Sequence, residues 1–441
     1  MNFFSIEFSL FFVIGLFLYY LFKPNFRNTI ILILSALFWS TQSIGTILIL
    51  VLCLFSDFIN FKYLSKNEPS DFFSKKSFYI PYIIFIALFY LFPHKYHWFF
   101  YSPIYQDTIY NNLPAGILII SLQSIRNFNL LSQKKISWGE FKFIDWVKLQ
   151  LFFPSYFMGP ITNFDFFMEE LNRERRFHIN NFINGMKLLF WAILKKLVIV
   201  DRLHFFMDTY RSGDFVINHK IDFLFVLVVP FFYYTFLIGA YYNLGKSLCY
   251  FLGFNFLRNF DIFTYLTGIG NFWSRWLLTI KQTFDEIFFG KKFGKSYVYF
   301  FILILNLIIF SKNMYSILIL LPISLFIWID FFLQENKYFN NFFISYSSKL
   351  ISFFILSSFW ALIATSKFPL ISINENINFL NYFNDSDFFI FVLIFLVISL
   401  HILRNKIHVT IGKIQKEKEY EDISIVGIVF LGYFVIMFGV F

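Results

Sequence analysis

The sequence predicts an all-α protein, a polytopic transmembrane bundle of roughly a dozen helical segments with re-entrant pieces. Three observations carry that expectation. Of 441 residues, 58% are hydrophobic and only 15% charged, with a mean hydropathy of +0.64, more apolar surface than a soluble core buries. Apolar runs long enough to cross a hydrocarbon layer of about 30 Å recur along the chain. Basic residues gather in the gaps between those runs. Aromatic residues make up 24% and include 73 Phe, against 18 Gly and 11 Pro, which excludes a low-complexity or disordered chain.

The first run, Phe3 to Phe22, has neither a basic leader nor a small-residue cleavage site, and reads as a permanent helix. Further runs lie near 29–39, 45–61, 77–93, 111–125, 183–200, 221–238, 297–310, 315–334, 349–366, 386–403 and 423–441, with 145–160 and 239–289 less regular. Segment 145–160 carries Pro154, Gly159 and Pro160 and is expected to enter the bilayer and return, which irregular backbone tolerates only when protein surrounds it. Lys23 and Arg27 follow the first run, Lys62, Lys66, Lys75 and Lys76 the third, and Arg126, Lys134 and Lys135 the fifth. With simple alternation these bases share one side, together with Arg173, Arg175 and Arg176. A late loop from Arg404 to Asp422 joins them. The aromatic loop from His94 to Asn112 holds one Lys and reads as an outward interfacial segment, so the N-terminus is predicted outside a cell inner or plasma membrane. The whole of 1–441 reads as one integral membrane domain.

The formal net charge of +10 suits loops that meet anionic lipid, and nucleic-acid binding is not expected. Cys53 and Cys249 sit inside apolar runs as small hydrophobes, so neither a disulfide framework nor a metal site is expected.

Four stretches carry more than hydropathy. Leu113-Pro114-Ala115-Gly116-Ile117 is followed by Gln123. Phe152-Phe153-Pro154-Ser155 is followed by Gly159-Pro160-Ile161. Gly185 to Asp201 contains Lys195-Lys196. The longest stretch runs from Tyr241-Tyr242-Asn243-Leu244-Gly245 through Leu252-Gly253-Phe254 and Asn259-Phe260-Asp261 to Asn271-Phe272-Trp273-Ser274-Arg275-Trp276. In order and spacing these resemble the membrane-bound O-acyltransferase family, in particular its bacterial branch that acylates cell-wall polymers and exopolysaccharides, over a core of about 100–400.

The resemblance implies transfer of an acyl group from a thioester donor, acyl-CoA or acyl carrier protein, to a hydroxyl of an extracytoplasmic glycan or lipid. It implies no bound cofactor. It also implies membrane lipid, an acyl carrier and an extracytoplasmic partner protein as partners. Such chemistry needs a proton acceptor for the hydroxyl, and the family places histidines after Arg-Trp and in a late Trp-His-Gly. Here Leu277 follows Trp276 and Ala361 follows Trp360, so both imidazoles are absent. Asn163, Asn243 and Asn271 also replace charged residues common in the family.

Asn271, Trp273, Arg275, Trp276 and Trp360 are the substrate-channel candidates. Arg275 is costly at membrane depth unless it pairs or lines a channel, the plain alternative being a snorkelling interfacial side chain. Lys281 and Asp285 stand at helical i,i+4 spacing and read as a solvated pair, and Lys195 and Lys196 as interfacial anchors. Thr279, Ser357 and Ser358 offer hydroxyls without a neighbouring base. The seven histidines, His94, His97, His178, His204, His219, His401 and His408, fall outside both motifs. Two functions stay open: an acyltransferase, and a non-catalytic member of the same fold acting as scaffold, acyl conduit or partner of an active acyltransferase.

Overall fold

The computed structural model describes residues 4–42, 44–66, 115–132, 142–156, 159, 161–212 and 220–256, together with Tyr82, Thr279, Gln282 and Ser357. Over these residues the architecture is all-α, with no strand among them. The helices are α1 (Ile6–Leu21), α2 (Arg27–Ser40), α3 (Ile44–Lys66), α4 (Ala115–Ser132), α5 (Phe143–Leu151), α6 (Phe164–Asn172), α7 (Ile179–Ile193), α8 (Asp201–Ser212) and α9 (Lys220–Phe251). Short 3-10 turns at Pro24–Phe26 and Phe153–Ser155 precede α2 and follow α5, and a π-helical stretch, Leu194–Val200, joins α7 to α8. Among the described residues no helix is long and apolar enough to cross a membrane.

The chain divides into two compact units, 1–189 with 241–260 and 276–317, and 190–240 with 261–275 and 318–441. In the first, α1 packs on α2, α2 on α5, α3 on α4 and α5, and α5 on α6. Its core is aromatic. Phe153 sits edge-on to Phe8, Phe11 and Phe12 and against Phe38, while Phe152 meets Phe167, Phe254 and Phe256. Each such ring pair contributes about 0.5–1.5 kcal/mol beyond the area it covers.

Helix ends follow local chemistry. Ser5 caps α1 by accepting the Phe8 N–H at 3.2 Å, and the helix is 16 residues long against the 20-residue run in the sequence. Segment 145–160 is broken as expected: α5 stops at Leu151, and Pro154 forms the following 3-10 turn. Of the stretch 239–289, the part up to Phe251 is more regular than its hydropathy suggests, because α9 continues unbroken to that residue across Pro230. Every residue from Val229 to Phe254 is buried, so the polar Tyr241, Asn243, Lys246 and Ser247 lie on a helix enclosed on all sides. Gly253, at φ +82°, ends it: the Gly253 N–H reaches the Tyr250 carbonyl and the Phe254 N–H the Cys249 carbonyl, the left-handed stop that glycine permits. Helices α6 and α8 are rich in charge and carry no hydropathy signal, and neither appears among the expected runs.

Several bases expected in loops belong to helices instead. Arg126 lies within α4, Lys62 and Lys66 within α3, and Arg27 is the first residue of α2. Arg27, Arg126 and Arg175 are buried among protein side chains.

Candidate functional site

The first unit gathers its polar side chains on inward helix faces. On α3, Cys53, Asp57 and Asn60 stand one turn apart and are buried. Asp57 is fully enclosed and accepts from the hydroxyls of Tyr82 and Ser124 and from Trp146 Nε1, the last two at 3.1 and 3.0 Å. Asn60 Nδ2 donates to the same Tyr82 hydroxyl, and Gln150 Nε2 to Ser124 Oγ at 2.8 Å. A carboxylate enclosed this way persists only because three donors replace its water.

Residues of α4 on either side of Ser124 fix the chain around and after α5. Arg126 Nη1 donates to the Ile161 carbonyl at 2.7 Å, and Asn127 Nδ2 to the carbonyls of Gln123 and Thr162. The Phe164 N–H donates to Asn127 Oδ1, and Gln123 Nε2 reaches the Leu149 carbonyl. Thr279 Oγ1 accepts the Ile161 N–H at 3.1 Å, so this hydroxyl holds backbone in place. The amide oxygens of Gln123 and Gln150 are buried and make no hydrogen bond.

Glycines bring α9 onto the same turn. A Cβ on Gly245 would stand 2.6 Å from the Pro154 carbonyl oxygen, and one on Gly185 would stand 2.8 Å from the Phe251 ring. Four sequence stretches thus meet within one unit: Gln123, the segment Phe152–Ile161, Gly185, and Gly245 to Phe254. Asn163 caps α6 by accepting the Asp165 N–H at 3.3 Å.

A second polar centre surrounds Arg175, which is buried between α6 and α7. Its guanidinium donates to the Tyr19 hydroxyl at 2.8 Å, to the carbonyls of Glu170 and Leu171 at 2.7 and 2.8 Å, and to Asn28 Oδ1. It also lies 4.6 Å from the Phe254 ring centroid. Glu170 accepts from Arg173 and from the Asn255 N–H, tying α6 to the end of α9.

Within the second unit, Lys196 pairs with Asp201 across the π-helical turn. The i→i+5 bonding of that stretch brings the two side chains close together. Lys195 is buried, so the expectation of two interfacial anchors is corrected: one lysine is enclosed and the other is ion-paired. His204 meets Tyr233 edge-on, and Ser357 is buried with a hydroxyl that makes no hydrogen bond.

Asn271, Trp273, Arg275, Trp276, Leu277, Trp360 and Ala361 lie outside the described residues, as do Lys281, Asp285, Ser358 and five of the seven histidines. His178 is exposed. Among the described residues no group of side chains could hold a metal ion. Sequence reasoning missed Asp57, Arg175 and Asn127. The available signal was a charged or amide residue isolated in an apolar run, as Asp57 is between Phe55 and Phe58. Comparison of the chain with known protein families and with characterised proteins finds no match.

Proposed function

We propose that the chain is a polytopic membrane protein related to the membrane-bound O-acyltransferases, passing an acyl group from a thioester donor to an extracytoplasmic hydroxyl. The observation that carries this reading is the close approach of family-like stretches to one another: Gly245 against the Pro154 carbonyl and Gly185 against the Phe251 ring.

Residence in lipid is supported by an inverted surface. On α3 the buried face carries Asp57 and Asn60, while Leu48, Val51, Leu52, Phe55, Phe58 and Ile59 are exposed. On α1, Leu10, Val13, Ile14, Phe17 and Leu21 form an exposed stripe. Water would penalise so continuous an apolar face, and hydrocarbon would not. The 16 helical residues of α1 reach about 24 Å, a shortfall that a bilayer meets by local thinning or flanking apolar residues.

In the proposed reaction the acceptor oxygen attacks the thioester carbonyl, the C–S bond breaks, and the departing thiolate takes up the hydroxyl proton. Leu277 and Ala361 supply no proton acceptor, so the rate falls by about 10²–10⁴ relative to a site holding a positioned base. A second reading, a non-catalytic scaffold or acyl conduit, is favoured by those two apolar residues and by Asn163 serving as a helix cap.

Purified full-length protein supplied with radiolabelled acyl-CoA and a polyol acceptor separates the two readings. Slow transfer that rises about 10²–10⁴-fold in the Leu277→His, Ala361→His variant supports the enzyme. Thioester binding with no transfer by either protein establishes the non-catalytic member.

A further inference from the structure

Arg27 opens α2, and its guanidinium is enclosed, the residue being only 8% exposed. Its Nε and Nη1 are buried and make no hydrogen bond. The group stacks on two phenol rings, 5.5 Å from the Tyr19 centroid and 5.2 Å from that of Tyr20. Ring stacking recovers only a fraction of what a guanidinium loses on leaving water without an anion.

Among the described residues no carboxylate pairs with Arg27 to repay the difference. Arg175 holds the Tyr19 hydroxyl, so two guanidinium groups share one tyrosine, and the partners of Arg175 are all neutral. The nearby acids are committed elsewhere: Glu170 accepts from Arg173 and the Asn255 N–H, and Glu174 pairs with Arg176. Lys23, exposed one turn earlier, adds further positive charge. The 14-residue helix α2 starts here without a side-chain cap, and the positive end of its dipole falls at Arg27.

We propose that Arg27 and the first turn of α2, with Arg175 supplying a second positive charge, form a binding site for a phosphate group. Its source is either a phospholipid headgroup or a soluble phosphorylated donor. A planar guanidinium with a second guanidinium beside it matches the tetrahedral oxygens of phosphate. Tyr20, which covers the guanidinium, is half-buried, with its hydroxyl on the Phe251 carbonyl at 2.8 Å and its ring against Tyr19 and Phe177. The site depends on the geometry of the first unit and not on acyl transfer.

The test uses the purified full-length protein in detergent and measures affinity from thermal unfolding. The probes are dioleoylphosphatidylglycerol, dioleoylglycerol as its phosphate-free counterpart, coenzyme A and inorganic phosphate. At least one phosphate-bearing probe is expected to stabilise the protein while dioleoylglycerol does not. Arg27→Gln is expected to weaken that binding about tenfold or more, and Arg27→Lys by less. A response to the phospholipid without one to coenzyme A assigns the membrane source, and the reverse assigns the soluble donor. Equal affinity of the native protein and Arg27→Gln, or no response to any phosphate-bearing probe, overturns the proposal. Should Arg27→Gln not fold, equal stabilisation of the native protein by phosphatidylglycerol and dioleoylglycerol overturns it as well.

Discussion

Asp57→Ala is expected to lower the unfolding free energy of the purified protein by about 3–5 kcal/mol. The carboxylate is the common acceptor of three side chains from separate parts of the chain, Tyr82, Ser124 and Trp146. Removing it leaves their donors buried without an acceptor, and the Gln150–Ser124 bond behind them loses its anchor. Alanine also leaves a cavity beside Trp146, which is stacked against Phe164. Asn at this position keeps one acceptor oxygen and is expected to lose less. Thermal unfolding followed by tryptophan emission checks both variants. An Asp57→Ala protein as stable as the native one would show that the network contributes little.

Arg175→Ala is expected to cost a similar amount, about 3–5 kcal/mol, by a different route. The side chain is the single donor to two carbonyls at the end of α6, and it also holds the Tyr19 hydroxyl and Asn28. Its loss detaches α1 and α2 from the α6–α7 connection and opens space against the Phe254 ring. Lysine cannot replace it, since one ammonium cannot reach four acceptors in a fork. Arg175→Lys is therefore expected to lie much closer to Arg175→Ala than to the native protein in the same unfolding experiment. Stability near the native value for Arg175→Lys would show that charge, and not the fork, matters here.

Helices that turn an apolar face outward were legible in the sequence. The runs at 29–39 and 45–61 lie inside α2 and α3, and Pro154 breaks the chain where its missing N–H requires. Hydropathy failed where a helix is enclosed by protein or laden with charge. Helix α9 carries Tyr241, Asn243 and Lys246 through its buried half, and α6 places Glu169 and Glu170 side by side. Nor does spacing announce a tertiary pair: Asp57 and Trp146 are 89 residues apart, and Arg175 and Tyr19 are 156 apart. The motif glycines were visible, whereas their purpose, close approach to Pro154 and Phe251, needed coordinates. A positive-inside pattern counts Arg27, Arg126 and Arg175 as surface charges, and burial gives each another task.

The exposed apolar stripes of α1 and α3 are expected to face hydrocarbon. Spin labels placed singly at Phe17 and Phe55, in a Cys53→Ala, Cys249→Ala background and in lipid nanodiscs, report it through collisions with dissolved oxygen and with a water-soluble nickel chelate. At both positions oxygen is predicted to dominate, whereas a label at the exposed Arg176 favours the chelate. Chelate collisions at Phe17 and Phe55 as frequent as at Arg176 would place the stripes in water and not in lipid.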